Sequence, residues 1–296
     1  MKTTKLKAKK PTLENTGHTK ALSFGRSGEG KTWFALSFPV PYYIDTEGGA
    51  NLAHYQDRLS KAGGAYMGPQ DGSLEFDSVI DQMKALATED HPYKTLIIDS
   101  ITKLYHTSIA EEQARLGDKD AFGASKKAPI AAMRQLLNWG MKLDMNILFI
   151  AHEASEWGLD PKTGQRTEIG KMPDVWDKLI YELDLTIQVK KQGNSRIGIV
   201  RKSRLTGFLD SDQFPLEYGE FAERYGKDFI EAAAQKIVLA NEKQVAEINK
   251  LLEVVNVPAA DVAKALSRAN AENFTELTDD QAAKFITWLK NKITAE

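Results

Sequence analysis

The octapeptide Gly25-Arg26-Ser27-Gly28-Glu29-Gly30-Lys31-Thr32 fits the pattern Gly-x4-Gly-Lys-(Ser/Thr). Its chemistry is that of gripping a polyphosphate. The glycines let successive backbone N–H groups curl around phosphate oxygens, and a helix opening at Lys31 turns its positive end to the same point. Lys31 supplies a mobile cation for the β- and γ-phosphates, and Thr32 a hydroxyl for phosphate-bound Mg2+. Gly25, Ser27, Gly28, Glu29, Gly30, Lys31 and Thr32 are therefore the expected contacts to a nucleoside triphosphate.

Such a loop needs a carboxylate to hold the metal through water, delivered by a neighbouring strand. Leu96-Ile97-Ile98-Asp99-Ser100 supplies it, with an acid where an apolar strand emerges, so Thr32 and Asp99 form the expected metal pair. Hydrolysis also needs a group that orients or deprotonates water. Glu47 leads for that role, because the apolar segment Tyr42–Ile44 ends at Asp45, two residues before it; Asp45 competes with it. His152 closes another apolar run, 146–151, where a polar side chain can sense the terminal phosphate, although a lone histidine is more often structural.

These groups must be carried by strands that end at one edge. Short apolar strands are expected at Ala21–Phe24, Pro41–Ile44, Thr95–Ile98 and Asn146–Ala151, alternating with helices at Lys31–Ser37, Leu74–Thr88 and Pro129–Leu143. Apolar runs without alternation indicate a mostly parallel sheet covered on both faces, an α/β architecture. Asp184–Lys190 and Arg196–Arg201 flank Gln192-Gly193-Asn194 as a hairpin added to the sheet edge. Beyond about residue 235 the pattern turns helical. Asn241 with Gln244, Pro258, and Thr278 with Gln281 mark three helix starts. The organisation expected is a basic flexible tail over 1–17, a nucleotide-binding domain over 18–235 and a three-helix domain over 241–296.

Composition sets the outer limits. The 296 residues carry a formal net charge of −2, so no whole-chain positive field advertises nucleic acid. Zero cysteines exclude disulfides and thiolate-held metals, and the five histidines are scattered singly. No apolar run is long enough to span a bilayer, and a cytoplasmic location is the expectation.

The ordered set of phosphate loop, Asp45-Thr46-Glu47-Gly48-Gly49, Ile97-Ile98-Asp99-Ser100 and Phe149-Ile150-Ala151-His152-Glu153 resembles the RecA-like core ATPases. Within them it looks most like the Sak-type recombination ATPases of phages, over roughly residues 19–210. The resemblance implies a RecA-like P-loop NTPase fold, ATP with Mg2+, and Glu47 as the water-activating base. The family's phosphate sensor is a glutamine where this chain has His152, which leaves that role open. The family also sends late-strand cations into a neighbouring subunit's ATP site, and Lys202 and Arg204 match that segment, implying a homo-oligomer with shared sites. DNA-contacting loops would fall at 117–128 and 153–176, giving Lys126, Lys127, Trp157, Lys162 and Arg166 as single-stranded DNA contacts. Five acids in the second segment weigh against it electrostatically. The implied function is phage-type homologous recombination, by annealing or strand exchange. The C-terminal helices would recruit a partner such as a single-strand binding protein. A replicative helicase or helicase loader, and a nucleotide-controlled binding switch with little turnover, are the competing readings.

Overall fold

The computed structural model describes residues 17–72, 74–255 and 257–293. Apart from Gly17, the basic tail expected over 1–17 lies outside them. The chain opens with β1 (Lys20–Phe24), α1 (Lys31–Ala35), β2 (Pro41–Asp45), α2 (Ala53–Lys61), β3 (Ala65–Met67), α3 (Phe76–Thr88) and β4 (Thr95–Asp99). It continues through α4 (Ile101–Leu116), α5 (Lys127–Lys142), β5 (Asn146–Ala151), β6 (Glu153–Leu159), β7 (Arg166–Pro173) and α6 (Leu179–Glu182). Then come β8 (Leu185–Gln192), β9 (Ser195–Ser203), β10 (Gln213–Pro215), α7 (Tyr218–Tyr225) and α8 (Lys227–Ile230). The last three helices are α9 (Glu242–Val254), α10 (Ala259–Arg268) and α11 (Asp279–Ile293).

One sheet of eight strands, ordered β10-β9-β8-β1-β5-β4-β2-β3, forms the centre. From β8 to β3 every pairing is parallel, while β9 and β10 join antiparallel at the other edge. The mostly parallel α/β sheet of a RecA-like P-loop NTPase is thus present, with the hairpin β8–β9 extending it. Strands buried on both faces explain the uninterrupted apolar runs. Successive side chains nevertheless part company across the sheet. Leu22, Phe24, Leu96, Ile98, Ile147 and Phe149 enter one core with α3, α4 and α5. Ala21, Ile97, Leu148 and Ile150 enter the other with α1 and α7.

Three elements depart from expectation. α1 stops at Ala35 rather than Ser37, because Ser37 turns its hydroxyl back onto the Phe34 carbonyl just ahead of Pro39. The segment 153–176, expected as a loop, is largely the two-stranded hairpin β6–β7, a sheet of its own. The loop expected over 117–128 contains two short 3-10 turns and the start of α5.

The C-terminal helices start where the sequence places them. Asn241 and Gln244 exchange reciprocal caps at 3.0 and 2.9 Å, as do Thr278 and Gln281 at 3.3 and 3.0 Å. Their apolar stripes meet in a separate cluster around Ile248, Leu277, Phe285 and Leu289. A single β-bridge, Leu239 to Thr278, and a hydrogen bond from Lys142 Nζ to the Glu276 carbonyl at 2.8 Å tie this cluster to the sheet domain. No helix among the described residues is long and apolar enough to cross a membrane.

Lys20, at the start of β1, is buried and donates to the carbonyls of Leu143 and Met145, both at 2.6 Å. Burial pushes its ammonium from the ordinary 10.5 down to about 7, against the pull of Asp144 and Asp184. Between those values the unfolded chain binds the extra proton and the folded chain does not, so stability rises with pH. The expected slope is at most about 1.4 kcal/mol per pH unit. Denaturant unfolding between pH 7 and 10 should show this rise in the wild type and not in Lys20→Met. A parallel rise in both proteins would assign it to another group.

Candidate functional site

The phosphate loop leaves β1 at Phe24 and meets the ends of three other strands. Register explains this meeting: Phe24 lies opposite Ala151, Ile150 opposite Asp99, and Asp99 opposite Asp45. The carboxyl ends of β1, β5, β4 and β2 therefore form one row, the edge at which open α/β sheets bind ligands. A cleft of about 590 Å³ opens there, lined by Gly28, Gly30, Lys31, Thr32, Glu47 and Asp99 among others.

Within the loop, Gly25 passes so close to the Val189 carbonyl that a Cβ would sit 2.6 Å from it. Lys31 is buried and folds back over the loop, its Nζ donating at 2.8 Å to the carbonyls of Gly25 and Arg26. An ammonium has three donors, so one remains for an anion. Burial lowers its proton affinity, and Asp99 is the strongest of the carboxylates opposing that shift. Thr32 Oγ1 donates to Asp99 Oδ2 at 2.6 Å, and the Tyr43 hydroxyl donates to the same oxygen at 2.8 Å. Burial pushes the Asp99 carboxyl up, the two hydroxyls pull it back, and Glu47 and Asp45 add repulsion. Thr32 and Asp99 are thus an adjacent oxygen pair for a hard cation. No cluster of three or more His, Asp or Glu side chains suited to a metal ion occurs among the described residues.

The two acids after β2 have separate surroundings. Asp45 is 1% exposed, and its carboxylate accepts from the backbone N–H groups of Glu47, Gly48 and Ala50 and from the Tyr66 hydroxyl, at 2.8 to 3.1 Å. It is consumed in building the turn. Glu47 instead lines the cleft, with Oε1 held by His152 Nε2 at 2.7 Å and by the Ser100 hydroxyl. Its other oxygen has no hydrogen-bond partner among the described residues. Thr46 fixes this acid against Asp99. Its N–H donates to the Asp99 carbonyl at 2.7 Å, and its hydroxyl donates to the Ser100 carbonyl at 3.0 Å while accepting the Ser100 N–H at 2.8 Å.

His152 and Glu153 open the hairpin β6–β7, and both reach back to the nucleotide edge. His152 holds Glu47, while Glu153 accepts from Arg26 Nε of the phosphate loop at 2.9 Å. Gln188 donates to Glu153 at 3.4 Å, and Arg201 donates twice to Gln188 at 3.0 and 2.6 Å. The hairpin's root is clamped to α4. The Thr102 hydroxyl accepts the His152 N–H at 3.0 Å and donates to the Asp174 carbonyl at 2.8 Å, and the Asp174 N–H returns to the His152 carbonyl at 2.9 Å.

Other expected residues fall elsewhere. Lys202 pairs with Thr186, beside Leu185 opposite Ala21, at the amino end of the sheet. It donates to the Leu183 carbonyl, and Arg204 donates to the Tyr181 carbonyl. Neither joins the cleft of its own chain. Trp157, Lys162 and Arg166 share the outer hairpin, with the Arg166 guanidinium 5.6 Å from the Trp157 ring centre and Lys162 in a tip turn capped by Asp160. Lys126 and Lys127 are exposed on the separate turn into α5, near a fully exposed Phe122. No hydrogen bond or ion pair among the described residues joins these two lysines to the hairpin trio. The cleft also takes in Tyr43, Trp33, His54, Tyr55 and Arg196, none of which the motifs single out. Only strand register and the turn after β2 could have pointed to them.

Against known families, the model described as "AAA domain" matches residues 18–207, well over half of the chain. No curated protein matches the chain. Among solved structures the chain is similar to a prototypical ATPase from the type III secretion system of pathogenic bacteria. Identity is 14% and the TM-score 0.36, over 94% of this chain and 82% of that one.

The contrast between the two acids is testable. Asp45→Ala orphans several buried donors and should cost about 1–3 kcal/mol of stability. Glu47→Gln keeps its hydrogen-bond partners and should stay within about 0.5 kcal/mol of wild type while lowering ATP turnover about 100-fold or more. Chemical denaturation and phosphate release measured on both variants decide it; full turnover in Glu47→Gln would remove it as the base.

Proposed function

The chain belongs to the family of AAA domains, and on that premise we propose that it is an ATP-hydrolysing protein acting on single-stranded DNA, in recombination of the Sak type. ATP would lie in the cleft with its phosphates in the Gly25–Thr32 loop. Thr32 and Asp99 are the oxygens that would hold Mg2+, an ion commonly bound through one or two carboxylates plus substrate phosphates. When bound, the ion neutralises charge on the phosphoryl group. Glu47, with one carboxylate oxygen gripped and the other open, is suited to orient the attacking water.

The observation that carries the DNA reading is the double tie between this site and the hairpin β6–β7. The proposed base Glu47 contacts His152, the phosphate-loop residue Arg26 contacts Glu153, and these two neighbours begin the hairpin. Filling or emptying the phosphate site alters what Glu47 and Arg26 contact, and the hairpin is the element that feels it. Such a link between phosphate occupancy and an outer segment is the arrangement of nucleotide switches. Trp157 beside Arg166 gives the hairpin a stacking ring with a cation, the pairing used for sequence-tolerant single-strand binding. Phe122, Lys126 and Lys127, exposed within one short segment, offer a second ring and two cations.

The sheet domain over 18–235 and the helical unit over 241–296 are assigned as two domains on the strength of their separate apolar clusters. The second is assigned to partner recruitment, a single-strand binding protein being the partner class. Lys202 and Arg204 keep only a role in trans, in a homo-oligomer that presents its amino edge to a neighbour's cleft.

ATP turnover with and without single-stranded DNA, at several salt concentrations, tests the reading. Hydrolysis should rise with DNA, the stimulation should fade as salt competes for phosphates, and Lys31→Ala should abolish it. Turnover indifferent to DNA at low salt would sink the DNA assignment while leaving the ATPase intact. Trp157→Ala should weaken single-strand binding about tenfold, in line with stacking worth about 1–3 kcal/mol per base. Unaltered affinity would take Trp157 off the DNA surface.

A further inference from the structure

The hairpin β8–β9 brings an arginine to the phosphate loop that the motif pattern does not announce. β8 pairs with β1 as far as Gln188 opposite Phe24, then runs on to Lys191, which pairs with Arg196. Three further residues at about 3.3 Å each carry the hairpin about 10 Å beyond the end of β1. That overhang is the space in which the phosphate loop turns. Alternation then fixes the face. Arg196, Gly198 and Val200 share one side of β9, and Val200 is buried with Phe34 and Ala35 of α1. The Arg196 side chain therefore comes down on the face where α1 begins.

The contact is close. A Cβ on Gly30 would lie 2.0 Å from Arg196 Nε and 2.4 Å from its Cδ, so the arginine stem crosses the space that only glycine leaves open. Gly30 sits at φ 95°, which independently favours glycine. The side chain lines the cleft with Lys31 and Thr32. Its Nε is enclosed without a hydrogen-bond partner among the described residues. An orphaned guanidinium nitrogen in a cleft that Asp45, Glu47 and Asp99 also line is a donor left for a ligand. Its planar set of donors matches phosphate oxygens.

We propose that Arg196 is a nucleotide-binding residue acting in cis, its guanidinium engaging the phosphate chain held by the Gly25–Thr32 loop. The proposal rests on the reading of that loop as a nucleotide site. It differs from a neighbour-supplied cation in that the residue and the loop it serves belong to one chain. It also accounts for the overhang of β8–β9, since the hairpin then closes the phosphate site from the side opposite Glu47 and His152.

The experiment measures equilibrium binding of ADP and of a non-hydrolysable ATP analogue to the full chain carrying Arg196→Ala, Arg196→Lys or no change, with thermal unfolding as the check on folding. Arg196→Ala should weaken both nucleotides about tenfold or more, with Arg196→Lys between it and wild type. In steady state KM should rise more than kcat falls. Wild-type protein that binds neither nucleotide would overturn the site reading and the proposal together. Wild-type binding matched by Arg196→Ala, or a loss confined to kcat, would overturn the proposal alone. Mixing Arg196→Ala with Lys31→Ala protein should restore no turnover, because each site lacks one group in cis; restoration would mean that the guanidinium comes from a neighbour. If Arg196→Ala unfolds, Arg196→Lys alone decides, with wild-type affinity counting against the phosphate contact.

Discussion

The site depends on the parallel register of β1, β5, β4 and β2. That register sets Phe24, Ala151, Asp99 and Asp45 in one row, so the hydroxyl of Thr32 lands 2.6 Å from a carboxylate that is 67 residues away in the chain. A one-residue slip of β4 would turn Asp99 to the other face and bring Ser100 or Ile98 into its place. Such a slip is opposed by burial, because Leu96 and Ile98 fill one core and Ile97 the other, and by the bonds from Thr46 to Asp99 and Ser100. The site therefore inherits much of its precision from packing and turn bonds that have no chemical role.

A second constraint is electrostatic. Three acids converge at the row, and a low-dielectric edge cannot hold them close together without compensation. Each is handled differently. Asp45 is surrounded by donors and becomes part of the turn. Asp99 shares two hydroxyl donors, which offset part of the upward push that burial gives its carboxyl. Glu47 stays at the rim, partly solvated, with a histidine on one oxygen. Position along the edge, not residue type, gives these groups of nearly equal intrinsic acidity different surroundings, and the proposed roles follow from those surroundings.

The central strands and the phosphate loop were legible because their signals are local: apolar runs bounded by turns, and a glycine pattern tied to one backbone conformation. The caps at Asn241 and Thr278 were legible for the same reason. Sequence ranked Glu47 ahead of Asp45 but could not give the reason, since the difference lies in which backbone N–H groups point at which carboxylate after the turn closes. The short strand β3 and the hairpin β6–β7 carry too few apolar residues to announce themselves. Their positions come from pairing with distant segments. Lys202, Arg204 and Arg196 form the clearest case. All lie in one basic stretch, and composition treats them alike. Counting register along an antiparallel strand sends Arg196 to the phosphate edge and the other two to the opposite end.

The same count distinguishes the two hairpins that frame the cleft. β6–β7 starts at the row, is clamped to α4 at its root and carries acids at positions 153, 156 and 168. Its polar ties to the site pass through the side chains of Glu47, Arg26 and Gln188. Contacts of that kind can be exchanged for a ligand without breaking the sheet, whereas β8–β9 is hydrogen-bonded to β1 over Leu185–Gln188 and to β10 over Ile197–Ile199. On the proposed reading, a ligand at the loop meets one wall anchored in the sheet and one whose attachment it competes for, so movement is assigned to the second and grip to the first.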